Sequence, residues 1–158
     1  MHSHRMKVAD IMTANPITVR PEAPLRTALE AMAAIECHHL PVISPQGHLI
    51  GIITARDCRL ALRLPDTVRE YWEHLQTVNQ LLVRNVMSAA PIVAAPETPA
   101  EEAARLMMAY DVSCLPVMRD ETLVGIVTIS DIVIAFVGTL SRADVRHTTA
   151  ELEAVPPL

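Results

Sequence analysis

The sequence predicts an α/β (α+β) fold of two pseudo-symmetric β-α-β-β-α repeats packed through their sheets, and three observations lead there. First, the chain repeats itself. "DIMTANPITV" from Asp10 returns as "NVMSAAPIVA" from Asn85, and "HHLPV" from His38 returns as "SCLPV" from Ser113, both at a shift of 75; "GIITARD" from Gly51 returns as "GIVTISD" from Gly125 at a shift of 74. Ordered landmarks at a near-constant offset mark a duplicated structural unit. Second, 51% of the 158 residues are hydrophobic but only 3% are aromatic, so the core must be aliphatic. Third, each copy alternates short β-branched runs with one alanine-rich run of helical period.

Each copy reads the same way. A strand is expected at "PITV" (16–19) or "PIVA" (91–94), followed by a turn containing Pro and Glu. The runs "PLRTALEAMAAIECH" and "PAEEAARLMMAYDVS" then predict amphipathic helices, with Met32, Met107 and Met108 as core filler. A short strand ending in "LPV" comes next, then a turn that is one residue shorter in the second copy ("SPQGH" against "RDET"), then the strand "HLIGIIT" or "TLVGIVT". The acid of each Gly-Ile motif is expected to open a further helix as its N-cap. A three-stranded sheet with one apolar face cannot hide it alone, so the two units should intertwine into one module. The first unit spans 8–75, including a helical extension and linker with a mobile tip near Pro65. The second spans 82–140, and the tail 141–158 reads as frayed or laid across a neighbour.

Composition removes several classes of function. A formal charge of −5, with 13 scattered Lys and Arg, disfavours a nucleic-acid partner. No apolar run approaches the ~20 residues of a membrane helix, and "MHSHRMKVAD" lacks a signal peptide's apolar region. Three cysteines without a CxxC pair fit a reducing compartment, so the expectation is a cytoplasmic protein without nucleic-acid or membrane partners. Motifs for phosphate loops, nucleophile elbows, zinc proteases and dinucleotide folds are absent, which argues against catalysis. "CHH" at 37–39 offers metal-ligand types, but consecutive residues converge poorly on one ion, and strand geometry would send His38 away from Cys37 and His39. "HSH" at the N-terminus reads as a frayed end, and no metal site is expected.

The repeated motif carries the chemistry. On a strand Thr128 and Ser130 share a face, with Ile129 directed to the core, and Asp131 at the following helix can accept two hydroxyl protons, as a ribose diol requires. A helix N-terminus with hydroxyls beside it favours an anion. The bland reading is that Ser130 and Asp131 only cap the helix.

The ordered set "DIMT", "PITV", "HHLPV", "GIITARD" and its second copy resembles a tandem pair of CBS domains, a Bateman module, from about Val8 to about Gly138. The resemblance implies two clefts related by a pseudo-two-fold axis that bind adenosine-containing ligands: AMP, ADP, ATP or S-adenosylmethionine. It implies one cleft on Asp131, Ser130, Thr128 and Ile126, faced by Val8, Ile11, Met12, Cys37 and His38. The other would use Asp57, Arg56, Thr54 and Ile52, faced by Val83, Val86, Met87 and Val112. Arg56 replaces the more usual hydroxyl, and Ser113 and Cys114 stand where basic residues often reach phosphate. The Asp131 cleft is therefore expected to suit a ligand with little phosphate. The Asp57 cleft, with Arg56 and with His38 and His39 near the ligand's far end, should favour a longer phosphate chain.

The resemblance also implies a homodimer of modules, with an unidentified regulated protein as a further partner. Adenine nucleotide is expected as a regulatory ligand rather than a required cofactor. The alternative function is a structural or interaction module whose clefts are degenerate.

Overall fold

The computed structural model describes residues 5–62 and 80–140. The extension near Pro65, the "HSH" terminus and the tail lie outside them. In chain order the elements are α1 (Val8–Ile11), β1 (Thr13–Ala14), α2 (Leu25–Ala34), β2 (His39–Ile43), β3 (Leu49–Thr54), α3 (Ala55–Ala61), α4 (Val83–Val86), β4 (Ser88–Ala89), α5 (Ala100–Tyr110), β5 (Cys114–Arg119) and β6 (Thr122–Thr128). A final helix, α6, follows over 129–140.

Two three-stranded antiparallel sheets form, in the orders β2-β3-β4 and β1-β6-β5. The short first strand of each repeat has crossed to the other repeat's sheet. Thr13 and Ala14 pair with Ile126 and Gly125, while Ser88 and Ala89 pair with Ile52 and Gly51. The intertwining expected from the repeat thus takes the form of a strand exchange.

The exchanged strand does not sit at "PITV", as the sequence reading had it, but just before. Asn15 and Ala90 adopt positive φ (49° and 48°), which turns the chain out of the strand, and Pro16 and Pro91 then offer no N–H to a ladder. What remains of the expected strand is one parallel bridge per repeat, Val19 to Val42 and Ala94 to Val117. Each repeat therefore holds its neighbour's sheet with residues 13–14 or 88–89 and its own with Val19 or Ala94.

Burial follows the same exchange. Val83, from the second repeat, is fully buried among Leu25, Ala28, Leu40 and Ile53 of the first. Val8, from the first repeat, is fully buried among Ala103, Leu115, Val117 and Val127 of the second. Backbone bonds fix both insertions: Val8 N–H donates to Thr98 O (2.8 Å) and Val83 N–H to Ala23 O (2.9 Å). A third cluster, Ile52, Cys114 and Ile126, joins the two sheets at the centre. Of the methionines read as core filler, Met32 and Met107 are buried, but Met108 is 82% exposed. One residue further along a helix is ~100° further round, so Met108 faces solvent.

The glycine of each "GI" motif answers to this exchange. A Cβ on Gly125 would lie 2.5 Å from Met12 Sδ and 3.1 Å from Thr13 O, and one on Gly51 would lie 2.7 Å from Met87 Sδ and 2.9 Å from Ser88 O. Gly125→Ala should cost about 1–3 kcal/mol in denaturant unfolding, the usual range for overpacking. Met12→Ala in the same chain should recover only part of it, because the Thr13 carbonyl stays in place. Unchanged stability in the single variant would refute the close packing.

Candidate functional site

Both motif strands end in the same device. Thr128 is the last residue of β6, and Asp131 is the third residue of α6. Asp131 Oδ2 accepts from Thr128 N–H (2.8 Å) and from Thr128 Oγ1 (3.0 Å), and Asp131 N–H lies 3.4 Å from Thr128 Oγ1. Thr54 and Asp57 repeat this, with Thr54 N–H on Asp57 Oδ2 at 3.3 Å and Asp57 N–H on Thr54 Oγ1 at 3.1 Å. These are reciprocal capping boxes. The threonine, not the acid, is therefore the N-cap, which corrects the sequence reading. Among the described residues nothing bonds Asp131 Oδ1, so one carboxylate oxygen remains available.

The strand also ends two residues earlier than the alternation argument assumes, at Thr128 rather than Ser130. Since the helix begins at 129, Ile129 is exposed rather than directed to the core. It lines a cleft of about 320 Å³ together with Thr128, Ser130, Asp131 and Ile126, and with Cys37, His38 and His39 from the first repeat. A cleft of this volume is at the small end of ligand sites, roughly 300–1,000 Å³. Ile17, Ile35, Ile126 and Ile129 give it an apolar lining. Ser113 and Glu36 complete its polar rim; Glu36, Ile17 and Ile35 are cleft residues that the motif reading does not name, and Ile129 is one that it directs to the core. Their signal was only positional, since they flank "PITV", "HHLPV" and the start of α6.

Val8 is fully buried in the second core, and Ile11 and Met12 pack against that core, on the same exchanged segment as Thr13, which lines the cleft. Cys37, His38 and His39 all face the one cleft, because β2 begins only at His39 and strand alternation does not apply before it. The two histidines line the cleft on Asp131, and His39 also pairs with Thr54 across the ladder and lies within electrostatic reach of Asp57. No group of three metal-ligating side chains converges among the described residues.

On the pseudo-symmetric side, Thr54 caps α3, Ile52 is buried at the sheet interface, and Arg56 is exposed in the first turn of α3. Val83 lies in the first core with Val86 and Met87 packed against it, and Val112 packs against the second.

His39 and Ser113 bridge the repeats, with Nε2 2.7 Å from Oγ. Burial and neighbouring His38 lower the His39 pKa, partly offset by Asp57. Burial, reinforced by the Asp57 carboxylate, pushes the Cys114 thiol up to about 12 and the Cys58 thiol up to about 11. Neither thiol has the ionised character a nucleophile or metal ligand needs at neutral pH.

Comparison with known proteins bears directly on this arrangement. The model of the CBS domain matches residues 8–64 and again 83–138. The chain belongs to the CBS domain family. As a CBS pair it is 33% identical over 129 residues to a CBS domain-containing protein of Dictyostelium discoideum, covering 81% of this chain and 89% of that one. Among solved structures it is similar to CBSX2 in complex with AMP (28% identity, TM-score 0.68, 84% of this chain and 97% of that one). It is also similar to the CBS domain pair of protein MJ0100 in complex with 5′-methylthioadenosine and S-adenosyl-L-methionine (29% identity, TM-score 0.71, 85% and 98%). Several enzymes also match, but this CBS pair spans only 22–23% of their length.

Proposed function

We propose that this CBS pair is a non-catalytic sensor that holds an adenosine-containing ligand in the cleft on Asp131. The observation that carries the reading is the free Oδ1 of Asp131 set beside an isoleucine-lined wall in one cleft. A planar base fits the apolar wall, and a ribose diol needs an acceptor fixed in place, which the capping box supplies. AMP, 5′-methylthioadenosine and S-adenosylmethionine in similar CBS pairs support the same class of ligand.

Charge narrows the choice. Among the described residues, the lining includes the carboxylates of Glu36 and Asp131 and no lysine or arginine. A di- or triphosphate would meet no fixed cation among these residues, so a ligand with one phosphate, or with a neutral or cationic tail, is favoured. Arg56 would be the cationic partner for a longer phosphate chain at the cleft expected on Asp57. Calorimetric titration with adenosine, AMP, ATP and S-adenosylmethionine tests this. Binding of adenosine and AMP with weaker ATP at the Asp131 cleft is expected. No binding by any of the four would favour the interaction-module alternative.

The same reading makes the protein a cytoplasmic homodimer acting on a regulated partner. Val133, Ile134, Phe136, Val137 and Leu140 are each at least half exposed on α6, an apolar surface that folded monomers seldom leave open. Light scattering at micromolar concentration should report twice the 17.3 kDa chain mass, and a monomer would contradict it.

A further inference from the structure

Resting on the adenosyl reading of the cleft, we infer that Glu36 sets its charge preference, so that it selects an adenosyl compound with a cationic tail, a sulfonium or an amine, in preference to a nucleotide. Glu36 stands where neither backbone nor electrostatics favours it. α2 ends at Ala34, and Glu36 follows in the left-handed region (φ 52°) while Cys37 N–H donates to Met32 O (3.0 Å), the closing bond of a Schellman turn. Glycine or asparagine is the usual residue at that place, and a glutamate there is strained. Its carboxylate also follows the negative end of the helix, where a cation is preferred.

The second repeat closes α5 in the same turn, with Asp111 (φ 52°) and Val112 N–H on Met107 O (3.0 Å). Aspartate tolerates the left-handed region better, and Asp111 does not line this cleft. The turn therefore does not explain Glu36. Nor does a partner, since no ion pair or hydrogen bond holds its side chain among the described residues. A residue kept against its local preferences is expected where a site uses it, and Glu36 lines the cleft.

Asp131 and Glu36 reach the cleft from opposite repeats, one at the start of α6 and the other just past the end of α2. Asp131 is committed to the capping box and, through its free oxygen, to the ribose, so Glu36 is the carboxylate left to face the rest of the ligand. The base is neutral and suits the isoleucine wall; a charge that Glu36 can read lies on the tail. The other titratable groups on these walls are Cys37, His38 and His39, with Asp57 close to His39. In a half-open cleft, one unit charge acting on another several ångströms away changes affinity by about three- to tenfold.

Calorimetry on the full chain at pH 8 with S-adenosylmethionine, S-adenosylhomocysteine, AMP and adenosine tests this, with protection of Cys37 from alkylation assigning the affinities to this cleft. The first two ligands differ by one methyl group and one positive charge on sulfur, the last two by one phosphate. The wild type should bind S-adenosylmethionine about three- to tenfold more tightly than S-adenosylhomocysteine, and more tightly than AMP. Glu36→Gln should cut the first ratio by about threefold or more and raise the AMP-to-adenosine ratio by at least as much, and both shifts should shrink as salt rises. Glu102→Gln, on an exposed position of α5 outside the cleft, removes the same charge and should leave both ratios as in the wild type. Glu36→Asn should melt about 1–4 °C higher than the wild type, since asparagine suits the turn.

Ratios unchanged in Glu36→Gln would overturn the inference and leave the adenosyl reading intact, even if adenosine itself bound more weakly. So would wild-type binding of AMP more tightly than of S-adenosylmethionine, or a lower melting temperature of Glu36→Asn, which would make the glutamate part of the turn's own stability. Failure of all four ligands to bind the wild type would overturn both.

Discussion

Residues 1–75 expressed alone should fail to unfold cooperatively, and should instead be aggregated or largely disordered by circular dichroism and gel filtration. The exchange of short segments makes this a large effect. Cutting there removes Val83 from the centre of the first core, the Leu81 carbonyl that accepts from Leu25 N–H (2.8 Å), and β4 from the edge of β3. It also leaves Val8 and β1 without the second core and sheet that hold them. Each buried valine contributes about 1.5–3 kcal/mol, against a total stability of ~5–15 kcal/mol for an intact domain. The fragment would also present unpaired strand edges, which favour association. Mixing 1–75 with 76–158 should restore a cooperative transition, because each half carries what the other lacks. A monomeric first half with a sigmoidal urea curve would show that the exchanged segments contribute little.

The fold was legible because duplication doubles every signal. A two-residue strand such as Ser88–Ala89 has no periodicity to detect, yet the offset repeat announced that whatever "DIMT" does, "NVMS" does too. Asp10 and Asn85 show the reason for part of that pattern: each side chain accepts from the N–H three residues back, Lys7 (2.8 Å) and Leu82 (2.9 Å), and so starts a one-turn helix. The boundary between strand and helix at 128–129 was not legible. Alternation predicts which way a residue points only while the strand lasts, and Thr128 ends it by capping. That single step moved Ile129 from the core to the cleft wall.

Partnership across the pseudo-dyad was equally hidden. His39 in one repeat corresponds to Cys114 in the other, whereas its hydrogen-bond partner is Ser113, the counterpart of His38. Self-alignment finds equivalent residues. It does not find which non-equivalent ones the packing brings together.

Asp131→Ala should weaken an adenosyl ligand by ~1.5–3 kcal/mol, about ten- to a hundredfold or slightly more in Kd, by removing a charged acceptor for the ribose hydroxyls. The capping box makes the variant ambiguous by itself, since Oδ2 also holds Thr128 N–H and Oγ1. Stability should fall by ~1 kcal/mol or less from that loss. Two further variants separate the roles. Asp131→Asn keeps one oxygen to accept from Thr128 N–H but loses the charge and one acceptor, so stability should largely return while affinity stays low. Asp57→Ala removes the matching cap from α3, and should show a similar loss of stability with affinity at the Asp131 cleft preserved. That affinity can be followed at its own site, because Cys37 lines the Asp131 cleft and bound ligand should slow its alkylation. If Asp131→Ala binds as the wild type does, the carboxylate is only a cap and the ligand site lies elsewhere. If Asp57→Ala weakens protection of Cys37 as much as Asp131→Ala does, the loss comes from loosening the module rather than from a missing contact.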